Sequence, residues 1–75
     1  MATLMRFDNQ RVIMYLGDHP PPHVHVLLRD GRDCTVDLSS FEIRGRVAER
    51  EIRESLVWIR TEQAFLLNQW QRSQL

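Results

Sequence analysis

The chain has 75 residues, with ten acidic and ten basic side chains, a formal net charge of zero and a single cysteine, Cys34. That length allows one domain, read here over residues 1–75, and excludes two. Balanced charge excludes a domain-wide basic field for nucleic acid, a hydrophobic content of 43% excludes disorder, and a lone cysteine excludes an internal disulfide.

A domain this small buries only roughly 60% of the surface its unfolded chain exposes. A well-packed helix, a metal or self-association is therefore expected to support it. The lone cysteine fits a reducing compartment. No apolar run approaches the ~20 residues of a membrane helix, and Met1 to Arg6 lacks the pattern of a signal peptide. These features predict a full-length cytoplasmic protein. Every basic residue apart from the histidines is arginine; arginine suits phosphate and carboxylate forks, and genome composition produces the same bias without any function.

Residues 1–9 read as a lead-in with a short irregular or edge strand around Leu4 to Phe7. Arg11 to Leu16 is apolar and partly β-branched, which predicts a buried strand ended by Gly17-Asp18. Pro20, Pro21 and Pro22 cannot donate to a sheet ladder and predict a stiff connector in polyproline geometry. His23 to Arg29 and Arg32 to Leu38 read as two strands joined by the hairpin signal Asp30-Gly31. Ser39-Ser40 is a turn, and Phe41 to Arg44 is a short fourth strand closed by Gly45. A two-residue hairpin loop would put the histidines on an apolar face. A loop one residue longer lets Val24, Val26 and Leu28 meet Leu38, Val36 and Cys34, with His23 and His25 on the other side. Clean segregation of faces favours the longer loop.

From Val47 to Arg72 the period becomes helical. Ala48, Ile52, Leu56, Ile59, Gln63, Leu66, Leu67 and Trp70 share one stripe, with Gln63 its one polar member. The helix would run about 25 residues, or about 37 Å, with a possible break at Thr61-Glu62-Gln63. Trp58 and Phe65 fall off the stripe, seven positions apart; they either pack on the N-terminal segment or form a dimer or partner surface. The predicted fold is α+β: a small, mainly antiparallel four-stranded sheet with a long C-terminal helix packed on one face.

All three histidines fall in the segment Asp18-His19-Pro20-Pro21-Pro22-His23-Val24-His25. Neutral imidazole is the commonest transition-metal ligand. His23 and His25 are two apart on a strand and share a face, and His19 can turn back across the prolines. Asp18 and Asp37 are carboxylates able to ligate a metal or orient an imidazole. Three histidines with one open position is a catalytic zinc pattern, which makes a divalent transition metal such as zinc the candidate cofactor, with the cofactor itself left open by the residues. It would activate water, for example on a phosphodiester. The plain alternative is a histidine ladder on a sheet face, with His19 capping the turn. Cys34 reads as a packed thiol. Arg44, Arg46, Arg50 and Arg53 interleave with Glu42, Glu49, Glu51 and Glu54, which predicts solvated ion pairs rather than a phosphate site.

Arg6-Phe7, Ile13-Met14-Tyr15, the run Asp18 to Val26, Val36-Asp37-Leu38, Gly45 and the helix with Trp58 and Trp70 together resemble the bacterial family called domain of unknown function 4160. The resemblance covers essentially the whole chain. Pro20, Val24 and Arg46-Val47 depart from the family's usual residues, and the histidines do not. The resemblance implies no established activity. Genes of that family often neighbour those of domain of unknown function 2442, in pairs proposed as toxin–antitoxin modules. It therefore implies one half of such a module, whose partner is the small protein of the neighbouring gene or a second copy in a homodimer. Trp58 and Phe65, or an open sheet edge, would then dock the partner. The alternative expectation is a metal-dependent hydrolase or nuclease using His19, His23 and His25.

Overall fold

In the computed structural model, which describes residues 2–74, five strands form one antiparallel sheet in the order β1 to β5. They are β1 (Ala2–Arg6), β2 (Gln10–Met14), β3 (His23–Leu28), β4 (Asp33–Asp37) and β5 (Ile43–Gly45). The lead-in is therefore a full edge strand, making five strands instead of the expected four. It pairs from Ala2↔Met14 to Arg6↔Arg11, with a bulge between Thr3 and Met5. Its Leu4 and Met5 pack against the core, and it lies about two residues N-terminal to the edge segment expected at Leu4 to Phe7.

The β3–β4 register is His23↔Asp37, Val24↔Val36, His25↔Thr35, Val26↔Cys34 and Leu27↔Asp33. The loop is three residues, Arg29 to Gly31, as the segregation of faces favours. The pairing is nevertheless slid by two residues from the expected one, so Val24 meets Val36 and not Leu38. Asp30 Oδ1 accepts the Arg32 N–H at 3.0 Å, and Leu28 N–H donates to Arg32 O at 2.8 Å, which draws Arg32 into the ladder. A slide of two keeps every side chain on its face. Val24, Val26, Cys34 and Val36 thus line the core side.

The long helix is not continuous. A 3-10 turn over Glu49–Ile52 leads into α1 (Arg53–Thr61), and α2 (Gln63–Ser73) follows. A straight rod of about 37 Å exceeds the longest dimension of the molecule, 31 Å. The break falls at Glu62, φ −101° and ψ 22°, between the two helices, and Thr61 Oγ1 donates to Val57 O at 2.8 Å just before it. Ile52, Leu56, Ile59, Leu66 and Trp70 are buried as the stripe predicts, whereas Ala48 is exposed and Val47 is buried in its place. Gln63, the polar member of the stripe, donates from Nε2 to Leu38 O at 2.7 Å. No helix among the described residues is long and apolar enough to cross a membrane.

One buried polar contact ties the sheet to α1. Gln10 is buried at the start of β2; its Oε1 accepts from the Ser55 hydroxyl and from the Ser55 N–H at 3.3 Å, and its Nε2 donates to Glu51 O at 3.2 Å. Gly45 closes the far edge at φ 141°. A Cβ there would stand 2.9 Å from the Cβ of Cys34, so only glycine fits opposite that residue.

Two outcomes follow from this packing. Gln10→Ala leaves the buried Ser55 without its acceptor and should destabilise the fold by about 1–3 kcal/mol in urea denaturation. Burial of Cys34, with the Asp33 charge adding to it, pushes its thiol up from 9.0 to about 11. Native protein should therefore alkylate slowly at mildly alkaline pH, and unfolded protein rapidly.

Candidate metal centre

The strand end and the proline connector build the site. Strand alternation sends His23 and His25 to one side while Val24 and Val26 enter the core. In the ladder, His25 stands between Ile13 of β2 and Thr35 of β4, and His23 stands opposite Asp37. The connector does not run as the extended polyproline segment expected. Asp18, at its start, lies against both β3 histidines, and the Pro20–Pro21 peptide is cis. The Gly17 N–H donates to Ser73 O at 2.8 Å, which anchors the loop to the end of α2.

Asp18 is the hub. Its Oδ2 lies 2.9 Å from His23 Nε2 and 3.1 Å from His25 Nε2, and its Oδ1 lies 2.8 Å from both the Nδ1 and the backbone N–H of His19. Asp18, His23 and His25 each bring one ligand atom within 4.8 Å of the others. Bonds of about 2.0–2.1 Å to one ion, at angles near 90–109°, would set neighbouring ligand atoms roughly 2.9–3.4 Å apart. The two Asp18–imidazole distances fall in that range.

The surroundings of His23 add a second observation. Its Nδ1 lies 2.7 Å from Pro21 O, and a carbonyl only accepts, so Nδ1 carries the proton. Its Nε2 faces a carboxylate oxygen, which also only accepts when ionised. The Nε2–carboxylate contact is therefore made through a second proton on the ring or through a cation held between the two. A backbone carbonyl fixing the far nitrogen is the usual support of a metal-bound imidazole. His23 and His25 are largely buried, with side chains 10% and 18% exposed. Tyr15 stands edge-on to His25 with ring centres 4.6 Å apart, and Trp70 lies 5.0 Å from His23.

Desolvation works against the charge on Asp18. Hydrogen bonds from the side chains of His19 and His25 and from the His19 N–H, with the nearby charge of His23, outweigh it and hold the carboxyl well below its ordinary range. The carboxylate is thus ready to ligate without losing a proton.

Each residue singled out in the sequence has a definite place. His23 and His25 come together as expected. Asp18, expected behind the ligands, occupies the position the third histidine was expected to fill. His19 instead contacts the other oxygen of Asp18, with its side chain 85% exposed. Asp37 bonds no imidazole among the described residues. Its Oδ1 accepts the N–H groups of Ser39 and Ser40 at 2.7 and 2.9 Å, Ser40 contributing most to the lowered range of its carboxyl. Trp58 is half-buried against the core, while Phe65 is 45% exposed and Val57 is 61% exposed. The Pro21 carbonyl and Trp70 carry no signal in the sequence, since the turn of the connector and the reach of α2 bring them in. A cleft beside the centre is lined by His19, Pro21, His23, Thr35, Asp37, Glu42 and Arg44.

The chain belongs to the family described as a domain of unknown function (DUF4160), which matches residues 10–71 and so spans the whole Asp18–His25 segment. No curated protein and no solved structure matches it.

Folding lowers the Asp18 carboxyl from the ordinary 3.8, so its contribution to stability is present above that pH and fades as the pH falls below it. In metal-free protein, the stability gap between wild type and Asp18→Asn should shrink on acidification below 3.8, followed by thermal melting. A gap that stays constant would show that Asp18 is not held ionised by its neighbours.

Proposed function

We propose that this DUF4160 chain binds one divalent transition metal through Asp18 Oδ2, His23 Nε2 and His25 Nε2, and uses it in hydrolysis. The observation that carries the reading is the convergence of Asp18 Oδ2, His23 Nε2 and His25 Nε2, within 4.8 Å of one another, while Pro21 O holds the other nitrogen of His23. Two imidazoles and a carboxylate are a ligand set for zinc, manganese, iron, cobalt or nickel, and no thiolate takes part because Cys34 lies on the core side of β4. Three protein ligands leave positions open for water and substrate, which distinguishes a reactive centre from a closed structural one. A bound divalent ion lowers the pKa of its water and supplies hydroxide near neutral pH. The protein's share is to keep Asp18 ionised, to fix both imidazoles, and to leave a polar cleft at one side.

A second reading is partner binding, as one half of a two-gene toxin–antitoxin module. Val57 and Phe65, exposed on the two helices, support it, as does β1, whose outer edge is unpaired in the sheet. Co-expression with the neighbouring gene product tests it; stable co-elution that is lost in a Val57→Glu/Phe65→Glu variant is the expected outcome, and separate elution would contradict it.

Metal binding is tested by elemental analysis and by fluorescence. Purified protein should retain close to one equivalent of metal, and His23→Ala/His25→Ala should retain none. In a Trp58→Phe background, Co²⁺ should quench the emission of Trp70, which lies 5.0 Å from the His23 ring. Absence of both retained metal and quenching would overturn the reading.

A further inference from the structure

The helices cover one face of the sheet, and the polar residues beside the centre lie on the other. Along one row of the ladder, His25 is followed by Thr35 and then by Arg44, on successive strands. At about 4.8 Å per strand, Arg44 stands about 10 Å from His25 along the hydrogen-bonding direction. A long arginine side chain and a small ligand on the metal can bridge that gap. Arg44 lines the same cleft as His19 and His23. Its Nε donates to Glu42 Oε1 at 2.8 Å. That contact uses the inner nitrogen of the guanidinium, and among the described residues the terminal nitrogens donate to nothing. Glu42 thus holds the fork without occupying it.

Charge narrows what the fork can meet. With a divalent ion on Asp18, the centre carries one net positive charge and Arg44 carries a second. Glu42 and Asp37, both on the cleft, offset them, and the hydrogen bonds of Ser39 and Ser40 hold Asp37 ionised. The four charges cancel, so a monoanion leaves the cleft with one net negative charge and a dianion with two beside the Glu42 and Asp37 carboxylates, which favours the ligand of smaller charge.

We propose that the cleft binds a singly charged oxyanion group, of the phosphodiester or carboxylate kind, with one oxygen on the metal and another on the Arg44 fork. This rests on the metal reading above and adds the class of substrate. Phosphomonoester dianions are disfavoured, and Arg44 is a binding residue at the surface, separable from the metal ligands.

The test uses full-length protein loaded with Co²⁺, whose visible absorption reports its coordination. Loading is measured first: if wild type takes up no cobalt, the metal reading itself fails and this one falls with it. With cobalt bound, dimethyl phosphate, acetate and methyl phosphate are titrated separately. The expected result is a spectral change with dimethyl phosphate or acetate at lower concentration than with methyl phosphate. Arg44→Gln should keep its cobalt and weaken the monoanion by about tenfold or more, the loss of a charge-assisted hydrogen bond. Whichever of dimethyl phosphate and acetate binds more tightly identifies the source of the group. Glu42→Gln should raise the affinity for methyl phosphate relative to dimethyl phosphate. Cobalt-loaded protein that binds neither monoanion, binds both equally well as Arg44→Gln, or prefers methyl phosphate would overturn the proposal and leave the metal centre standing.

Discussion

One carboxylate organises this molecule's polar chemistry. Asp18 faces His23 and His25 with one oxygen and His19 with the other. Bringing it there requires the connector to turn back on the sheet, and the Gly17–Ser73 hydrogen bond ties that turn to the last helix. A carboxylate that is 17% exposed and surrounded by imidazoles is costly to leave without partners. The fold supplies those partners from a loop, through His19, and from a strand, through His23 and His25.

The remaining architecture serves as a stiff mount. Val24 and Val26 sit in the core at full burial, and they alternate with the two histidines along β3. Strand pleating therefore converts core packing directly into imidazole position. The Gln10–Ser55 contact and the Gln63–Leu38 bond fix the helices against the sheet at its two ends. A small domain with a modest core has little margin for a loose site, and an ion shared by loop and strand would add binding free energy to folding free energy.

Legibility in the sequence followed the range of the interactions. Alternation and the helical stripe are local, and they specified the face of His23 and His25 and the burial of Ile52, Leu56, Ile59, Leu66 and Trp70. Register depends on loop closure, and the Asp30–Arg32 bond moved it by two residues. The lead-in strand β1 was legible only as a short edge segment at Leu4 to Phe7, because the bulge between Thr3 and Met5 interrupts its alternation. The helix break at Glu62 was visible as a weak spot at Thr61-Glu62-Gln63, and it falls between α1 and α2. At the site, the histidine cluster was plain, whereas the exchange of positions between Asp18 and His19 was not. Residues 18 and 19 adjoin in sequence and point differently only because of how the connector turns. Gln63 looked like a flaw in an apolar stripe and is the donor that satisfies a strand-end carbonyl.

The central claim is that one aspartate and two histidines form the coordination sphere. X-ray absorption at the edge of the metal retained by, or loaded into, the full-length protein tests it most directly. The account predicts a first shell of nitrogen and oxygen only, at about 2.0–2.1 Å, with the outer scattering of two imidazoles, and its loss in Asp18→Ala. Sulfur at about 2.3 Å would assign the metal to Cys34, and a spectrum unchanged in Asp18→Ala would place it elsewhere; either result would contradict the account.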